Sequence, residues 1–262
     1  NVVQGYYDKM MFNFSFNEIE LSISAKLEYI MAHAYFRVRN FKVSSNHIAS
    51  LSNLMQRDSN IKSKYMSRYL SLKSSIDVFE NRLHESISAH EEFIESSNVR
   101  LPLKEQLNLY LNLVAYYCVD KSYKKANRIL LFMNQSDAFY QRHMGREWLI
   151  RKDLIRTLIQ VELENEEIAI SILNNLKKKH SDMFKTEQYA MVLFYINTLL
   201  AYLNDPYQTT KEDISNMETQ TNFQKDKLFD DPKILSFYVW LKSKITNQDL
   251  YELLREEYKN LK

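Results

Sequence analysis

Along most of the chain apolar residues recur every three or four positions. Leu27, Ile30, Met31, Ala34 and Tyr35 form one such run, and Leu107, Tyr110, Leu111, Val114 and Tyr117 form another. Residues so spaced share one face of a helix, whereas a half-buried strand needs strict alternation, which the sequence does not sustain anywhere. The pattern predicts an all-α chain.

Helix starts are marked as well. Ser15 with Glu18, Thr209 with Glu212 and Thr246 with Asp249 have capping-box spacing, in which a hydroxyl accepts from an orphan backbone N–H and a carboxylate suits the positive helix end. Pro102 and Pro232 fit the first turn of a helix, where a missing N–H costs nothing, and Asp230 and Asp231 precede the second as caps. Lys259 and Lys262 lie where positive charge answers the dipole at the end of a final helix.

Four times a long apolar-periodic run ends in a short polar turn and an apolar residue opens the next run. The turns are Arg39-Asn40-Phe41, Asn81-Arg82-Leu83, Lys121-Ser122-Tyr123 and Glu166-Glu167-Ile168, so the opening residues follow one another at 42, 40 and 45 residues. Around Ile168 a second register is open, because Ala169, Ile172, Leu173 and Leu176 make the better buried face. Leu250, after the turn Thr246 to Asp249, lies 82 residues beyond Ile168, close to two further steps.

A helical hairpin of about 40 residues cannot bury its apolar face alone and gains a core by stacking on its neighbours. The expected architecture is a right-handed α-α superhelix of stacked hairpins in one continuous domain. Residues 1–204 form the repeat array, 205–231 a polar helix or loop anchored by Met217, Phe223, Leu228 and Phe229, and 232–262 a capping helical pair.

Composition narrows the chemistry. Two glycines and three prolines leave almost no positions for phosphate-cradling loops, and Gly5 and Gly145 stand alone. A formal charge of +2 is too balanced for a dedicated nucleic-acid or membrane-surface binder. The single cysteine, Cys118, excludes a disulfide framework, fits a cytoplasmic, reducing compartment and reads as a buried small hydrophobe. The apolar stretch from Ala190 to Leu203 is shorter than the roughly 20 residues a membrane span requires, so it reads as a core helix. The chain opens at Asn1 without an initiator methionine or a signal-peptide pattern, which leaves room for a preceding domain.

A metal-carboxylate bundle would need Glu three residues before a histidine, and none of the six histidines has one. His84 and His90, six apart, do not share a helix face and read as solvated or capping residues. Asp230-Asp231 reads as a cap and not as a diphosphate-binding cluster. The expectation is no metal, no cofactor and no enzyme.

The segment Tyr110-x-x-Leu113-Val114-x-x-Tyr117, followed by Tyr123-x-x-Ala126-x-x-x-Leu130-x-x-Met133, resembles a tetratricopeptide repeat. So does Met31-Ala32-x-x-Tyr35 followed by Phe41-x-x-Ser44, with small residues at both close-approach positions. The closing proline is missing and the period exceeds that family's 34, so the likeness is to a divergent array. It implies a groove lined by the first helix of each hairpin, near Tyr29, His33, Phe36, Arg37, Asn108 and Asn112, with the two asparagines reaching the backbone of an extended peptide.

A second candidate surface is the stretch from Arg142 to Arg156. It holds Arg142, Arg146, Arg151, Lys152 and Arg156 with His143 and Trp148, and on one continuous helix Arg142 and Arg146 would be neighbours and Glu147 would pair with Arg151. Arg146, Trp148 and Arg151 would grip a carboxylate or phosphate and stack on a ring. The run Lys177-Lys178-Lys179-His180 reads as a helix end.

The leading expectation is a non-enzymatic scaffold that binds a protein or peptide, with no membrane partner and with a homodimer among the arrangements open to it. One alternative is the sensor or dimerisation domain of a bacterial-type transcription regulator, touching nucleic acid only through an N-terminal domain preceding Asn1. The other is a helical-bundle enzyme or ligand carrier.

Overall fold

In the computed structural model, residues 18–96, 101–205 and 232–260 are described. Every regular element among them is helical: α1 (Glu18–Arg37), α2 (Phe41–Arg57), α3 (Ser59–Phe79), α4 (Leu83–Ser96), α5 (Leu103–Val119), α6 (Tyr123–Phe132), α7 (Asp137–Met144), α8 (Arg146–Glu162), α9 (Glu166–Lys179), α10 (Ala190–Asn204), α11 (Pro232–Thr246) and α12 (Leu250–Asn260). Two 3₁₀ turns, Met183–Lys185 and Glu187–Tyr189, lead into α10. The caps expected at Ser15, Thr209, Asp230 and Asp231, the anchors at Met217, Phe223, Leu228 and Phe229, Gly5, the Lys259 side chain and Lys262 lie outside what the structure describes.

Five hairpins share one turn. Arg39, Asn81, Lys121, Glu164 and Asn247 each adopt a left-handed conformation with φ between 56° and 67°. In the first hairpin the Arg39 N–H donates to Phe36 O and the Asn40 N–H to Tyr35 O, both at 2.9 Å. The same two bonds recur from Asn81 and Arg82, from Lys121 and Ser122, and from Glu164 and Asn165. In the fifth, Gln248 N–H reaches Ser243 O at 3.2 Å. The turn thus satisfies carbonyls that the helix end would otherwise orphan, and it reverses the chain within a few residues.

Each of the first four turns is straddled by a pair of buried residues. The pairs Ala32/Ser44, Ser74/Ser86, Val114/Ala126 and Thr157/Ala169 are each twelve residues apart, straddle the turn and are buried. Small side chains there let the two helices approach. Two crossings add a hydrogen bond between the helices: Ser44 Oγ donates to Ala32 O at 2.7 Å and Ser86 Oγ to Ser74 O at 3.0 Å.

The fourth turn corrects the expected one by two residues. Its left-handed residue is Glu164, and Glu166 and Glu167 are already in the first turn of α9, where their charge suits the helix dipole. Ala169, Leu173 and Leu176 are the buried face of α9, whereas Ile168 is exposed. The Thr246/Asp249 reading is corrected too: Thr246 bonds back to Lys242 O, and Asp249 alone caps α12, accepting from Tyr251 N at 2.9 Å and Glu252 N at 3.0 Å.

The chain divides into two compact units, residues 1–109 and 110–262, with the boundary inside α5. In the first unit α3 packs against both α1 and α2. Its core joins Ala25, Leu51, Leu54, Met55, Ile61 and Tyr65 in one cluster and Ala32, Phe36, Ile48, Leu72 and Ile76 in another. Phe36, expected to line a groove, is buried here against Phe41 and Phe79, which stack at 5.4 Å.

The second unit is built around α8, which packs against α6, α7 and α9 and buries residues on every side. Residues Phe237, Tyr238, Val239, Trp240 and Leu241 of α11 are buried in succession, so this stretch is covered on every side. Glu162 at the end of α8 is a polar anchor. It accepts from Trp240 Nε1 at 2.7 Å and Lys244 Nζ at 3.0 Å; burial pushes the Tyr123 phenol's pKa up, and the Glu162 charge and its bond to that hydroxyl add to the rise. Cys118 is buried, and burial raises its thiol pKa.

Among the described residues no helix is long and apolar enough to cross a membrane.

The left-handed turn residues carry a steric cost that glycine lacks. Glu164→Gly is expected to raise stability by about 0.5–1 kcal/mol, and Glu164→Val to lower it, as read from urea unfolding midpoints.

His90, expected to be solvated or capping, is buried between α3 and α4; His84 is exposed. His90 Nδ1–H donates to Ser86 O at 3.0 Å, and burial lowers its pKa from 6.5 to about 4. The folded state therefore favours the neutral ring. Its contribution is complete above pH 6.5 and is lost as acidification proceeds toward pH 4, amounting to about 2 kcal/mol at pH 5. His90→Asn keeps a donor for Ser86 without titrating, so its loss of stability between pH 7 and pH 5 is expected to be smaller than the parent's by that amount.

Candidate functional site

In the first unit, the apolar faces of α1 and α3 are consumed by the core, and a more polar stripe flanks each of them. On α1 its residues are Lys26, Ile30, His33 and Arg37, at steps of four, three and four, all exposed. On α3 they are Lys64, Arg68, Ser71 and Ser75 at the same steps, the two cations exposed and the two serines half-buried. Helical geometry makes each set one row.

Aromatic contacts join the rows. The Tyr29 and Tyr65 rings lie 6.1 Å apart, and His33 lies 6.2 Å from Tyr29. Lys64 Nζ and the Arg68 guanidinium sit 5.6 and 5.9 Å from the Tyr65 ring centroid. These cations are held by the electron-rich ring and stay at the surface.

The start of α5 contributes a carboxylate. Glu105 Oε2 accepts from Ser67 Oγ at 2.5 Å, and Glu105 Oε1 lies 3.6 Å from Arg68 Nε. The Tyr29 phenol feels the whole group. Burial raises its pKa, the Arg68 charge opposes that, and Glu105 and Tyr65 add to it. His33 is held below its ordinary value by burial and then by the neighbouring Arg37 charge.

Of the residues singled out from sequence, Tyr29, His33 and Arg37 thus fall in one cluster. Asn108 is exposed one turn beyond Glu105, and Asn112, in the second unit, is half-buried; both take part in interactions of their own. Tyr65, Arg68 and Glu105 were not singled out. The signal for Arg68 was its position four residues from Lys64, beside the apolar face that carries Ile61, Tyr65 and Leu72.

The basic stretch of the second unit is rearranged relative to expectation. Gly145, with φ at 87°, ends α7 and begins α8, so Arg142 and Arg146 stand on different helices and not one turn apart. Trp148 is buried, 5.4 Å from the Tyr140 ring, and serves as a core anchor. Arg146 forks onto Asp182 through bonds of 2.6 and 2.5 Å and donates from Nε to His180 Nδ1 at 3.3 Å. This fork holds the Asp182 carboxyl well below the usual range.

Lys152 is buried, 4.8 Å from the Tyr140 ring centroid and 3.3 Å from Asp153. Lys179 pairs with Asp137 at 2.6 Å. Glu147 accepts from the Tyr189 hydroxyl, and Arg151 is half-buried and interacts within the chain. Arg146, Lys152 and Lys179 thus hold acids of their own chain, while Arg142 and Arg156 are exposed.

Three further histidines and acids take structural roles. His47 Nδ1 donates to Glu28 Oε2 at 2.7 Å with both side chains nearly inaccessible, and the Tyr35 ring stacks on His47 at 5.6 Å. His180 is fully buried. Among the described residues no group of three or more His, Cys, Asp or Glu is placed to hold a metal ion.

No protein-family model, curated protein or solved structure matches the chain.

Removing the Arg37 charge is expected to move the His33 pKa upward, toward 6.5, in Arg37→Ala, and further in Arg37→Glu. An NMR titration of the histidine ring protons reads this directly; a value unchanged in both variants would show that burial alone sets it.

Proposed function

We propose that the chain is a non-enzymatic helical-repeat module that binds a protein or peptide segment on the outward rows of the first helices of its hairpins. The observation that carries this reading is the repeated hairpin itself. Four turns with the same left-handed residue and the same buried crossing, at intervals of 42, 40 and 43 residues, commit the second helix and one face of the first to packing. In the first two repeats the positions three before and one after the crossing residue stay accessible, as Tyr29, His33, Ser71 and Ser75, whereas their counterparts Leu111, Leu154 and Leu158 are buried, so the contact surface lies on the first two repeats.

The likeness to tetratricopeptide arrays supports the assignment, since Ala32/Ser44 and Val114/Ala126 are the close-approach pairs on which it rests. The first-unit rows combine Tyr29 and His33 with Lys64 and Arg68. Aromatic and guanidinium groups are the kinds of side chain that dominate the energetics of peptide recognition.

A peptide library displayed on phage and panned against the purified chain tests the reading. Enriched peptides are expected to lose about tenfold or more in affinity for Tyr29→Ala/His33→Ala, with the helical circular-dichroism signal intact. Peptides that bind this variant as well as the parent would move the site elsewhere, and a library yielding no binder would remove the reading.

A further inference from the structure

Charge is unevenly shared among the helices of the first unit. The described side chains of α1 and α3 include five exposed cations, Lys26, Arg37, Lys62, Lys64 and Arg68, while their acids are shielded: Glu20 is half-buried, Glu28 pairs with His47 and Asp77 pairs with Lys73 and Arg82. On α4 the order is reversed. Glu85, Glu91, Glu92 and Glu95 occur there with no lysine or arginine.

From this we infer that the rows on α1 and α3 receive an acidic, extended peptide segment whose carboxylates are taken by Lys64 and Arg68. The inference rests on the peptide-binding reading and adds the chemistry of the ligand. Glu105 already supplies the precedent: its carboxylate sits between Ser67 Oγ and Arg68 Nε, so a carboxylate of the same chain uses the position a ligand carboxylate would use. Glu105 is thereby an internal competitor.

Ile30, exposed between Lys26 and His33, offers an apolar contact beside the charges, which suits a segment alternating acidic and apolar residues. Two features favour a peptide over a nucleic acid. The Tyr65 ring carries two cations and leaves little face for a base to stack on. The formal charge of +2 on the whole chain is too balanced to hold a long polyanion, whereas a short acidic segment needs only the cations of the rows.

The probe is a fluorescein-labelled peptide of about eight residues alternating glutamate and leucine, with its glutamine analogue as the control. Both are titrated by fluorescence anisotropy against the full chain at low salt. The acidic peptide is expected to bind at least about tenfold tighter than the analogue and to lose about tenfold in Lys64→Gln/Arg68→Gln. Glu105→Gln, which keeps a partner for Ser67 but not the charge, is expected to bind it about threefold tighter. Circular dichroism confirms that each variant folds.

Equal affinity for the two peptides would overturn the acidic ligand while leaving the peptide-binding reading standing. Failure of these probes together with an empty phage library would remove both. A single-stranded RNA of equal charge that binds tighter than the acidic peptide and is lost in the double variant would overturn the inference in favour of a nucleic acid. Self-association in sedimentation velocity that the double variant abolishes would overturn it in favour of a second copy docking its α4 acids here.

Discussion

The close crossing of two helices at a pair of small buried residues is the constraint on which each of the first four hairpins depends. A left-handed residue after the first helix fixes how sharply the chain returns, and so which residues of the second helix meet it. Twelve residues separate the partners at every crossing, from Ala32/Ser44 to Thr157/Ala169. A large side chain at either position would push the helices apart and misplace the aromatic packing beyond it, such as Phe36 against Phe41 and Phe79. Ser44 and Ser86 go further, since each donates its hydroxyl to a carbonyl of the facing helix and so holds the crossing in register as well as close.

Once the crossing is fixed, the outward rows follow. The residues three before and one after Ala32 and Ser74 are Tyr29, His33, Ser71 and Ser75; none is fully buried, and Tyr29 packs partly buried against both core clusters. Their environment is then set by the adjacent helix. Tyr29 meets Tyr65, and Arg68 meets Glu105, so a surface with paired charges and aromatic edges arises from positions that packing leaves over.

The hairpin turns at Arg39, Asn81 and Lys121 were legible because each places a polar pair between two apolar-periodic runs, a purely local signal. Glu164 was misplaced because Glu166 and Glu167 look like turn residues by polarity. Their charge in fact belongs in a first helical turn, where it opposes the dipole. Gly145 carried a readable break signal within the basic stretch, yet the run of cations on either side suggested one helix. The burial of His47, His90 and His180 was not legible, since it depends on helices that only the fold brings alongside. The closing pair α11 and α12 was placed correctly in sequence, and five successive apolar residues in α11 already pointed to a stretch covered on every side.

The same dependence on the fold decides what a cation is for. By sequence, Arg146 and Lys152 make the denser basic cluster, and Lys64 and Arg68 the sparser one. Folding brings Asp182 and Asp137 to the first pair, so that Arg146 locks the segment after α9 and Lys152 is drawn over the Tyr140 ring. Among the described residues Glu105 is the acid beside the second pair, 3.6 Å from Arg68 Nε, and both cations stay at the surface. A cation held by an acid of its own chain has its interaction satisfied before any partner arrives, and a ligand must displace that acid to use it. The sparser cluster is therefore the one able to gain from an external carboxylate, and local charge density along the chain was the wrong measure for finding it.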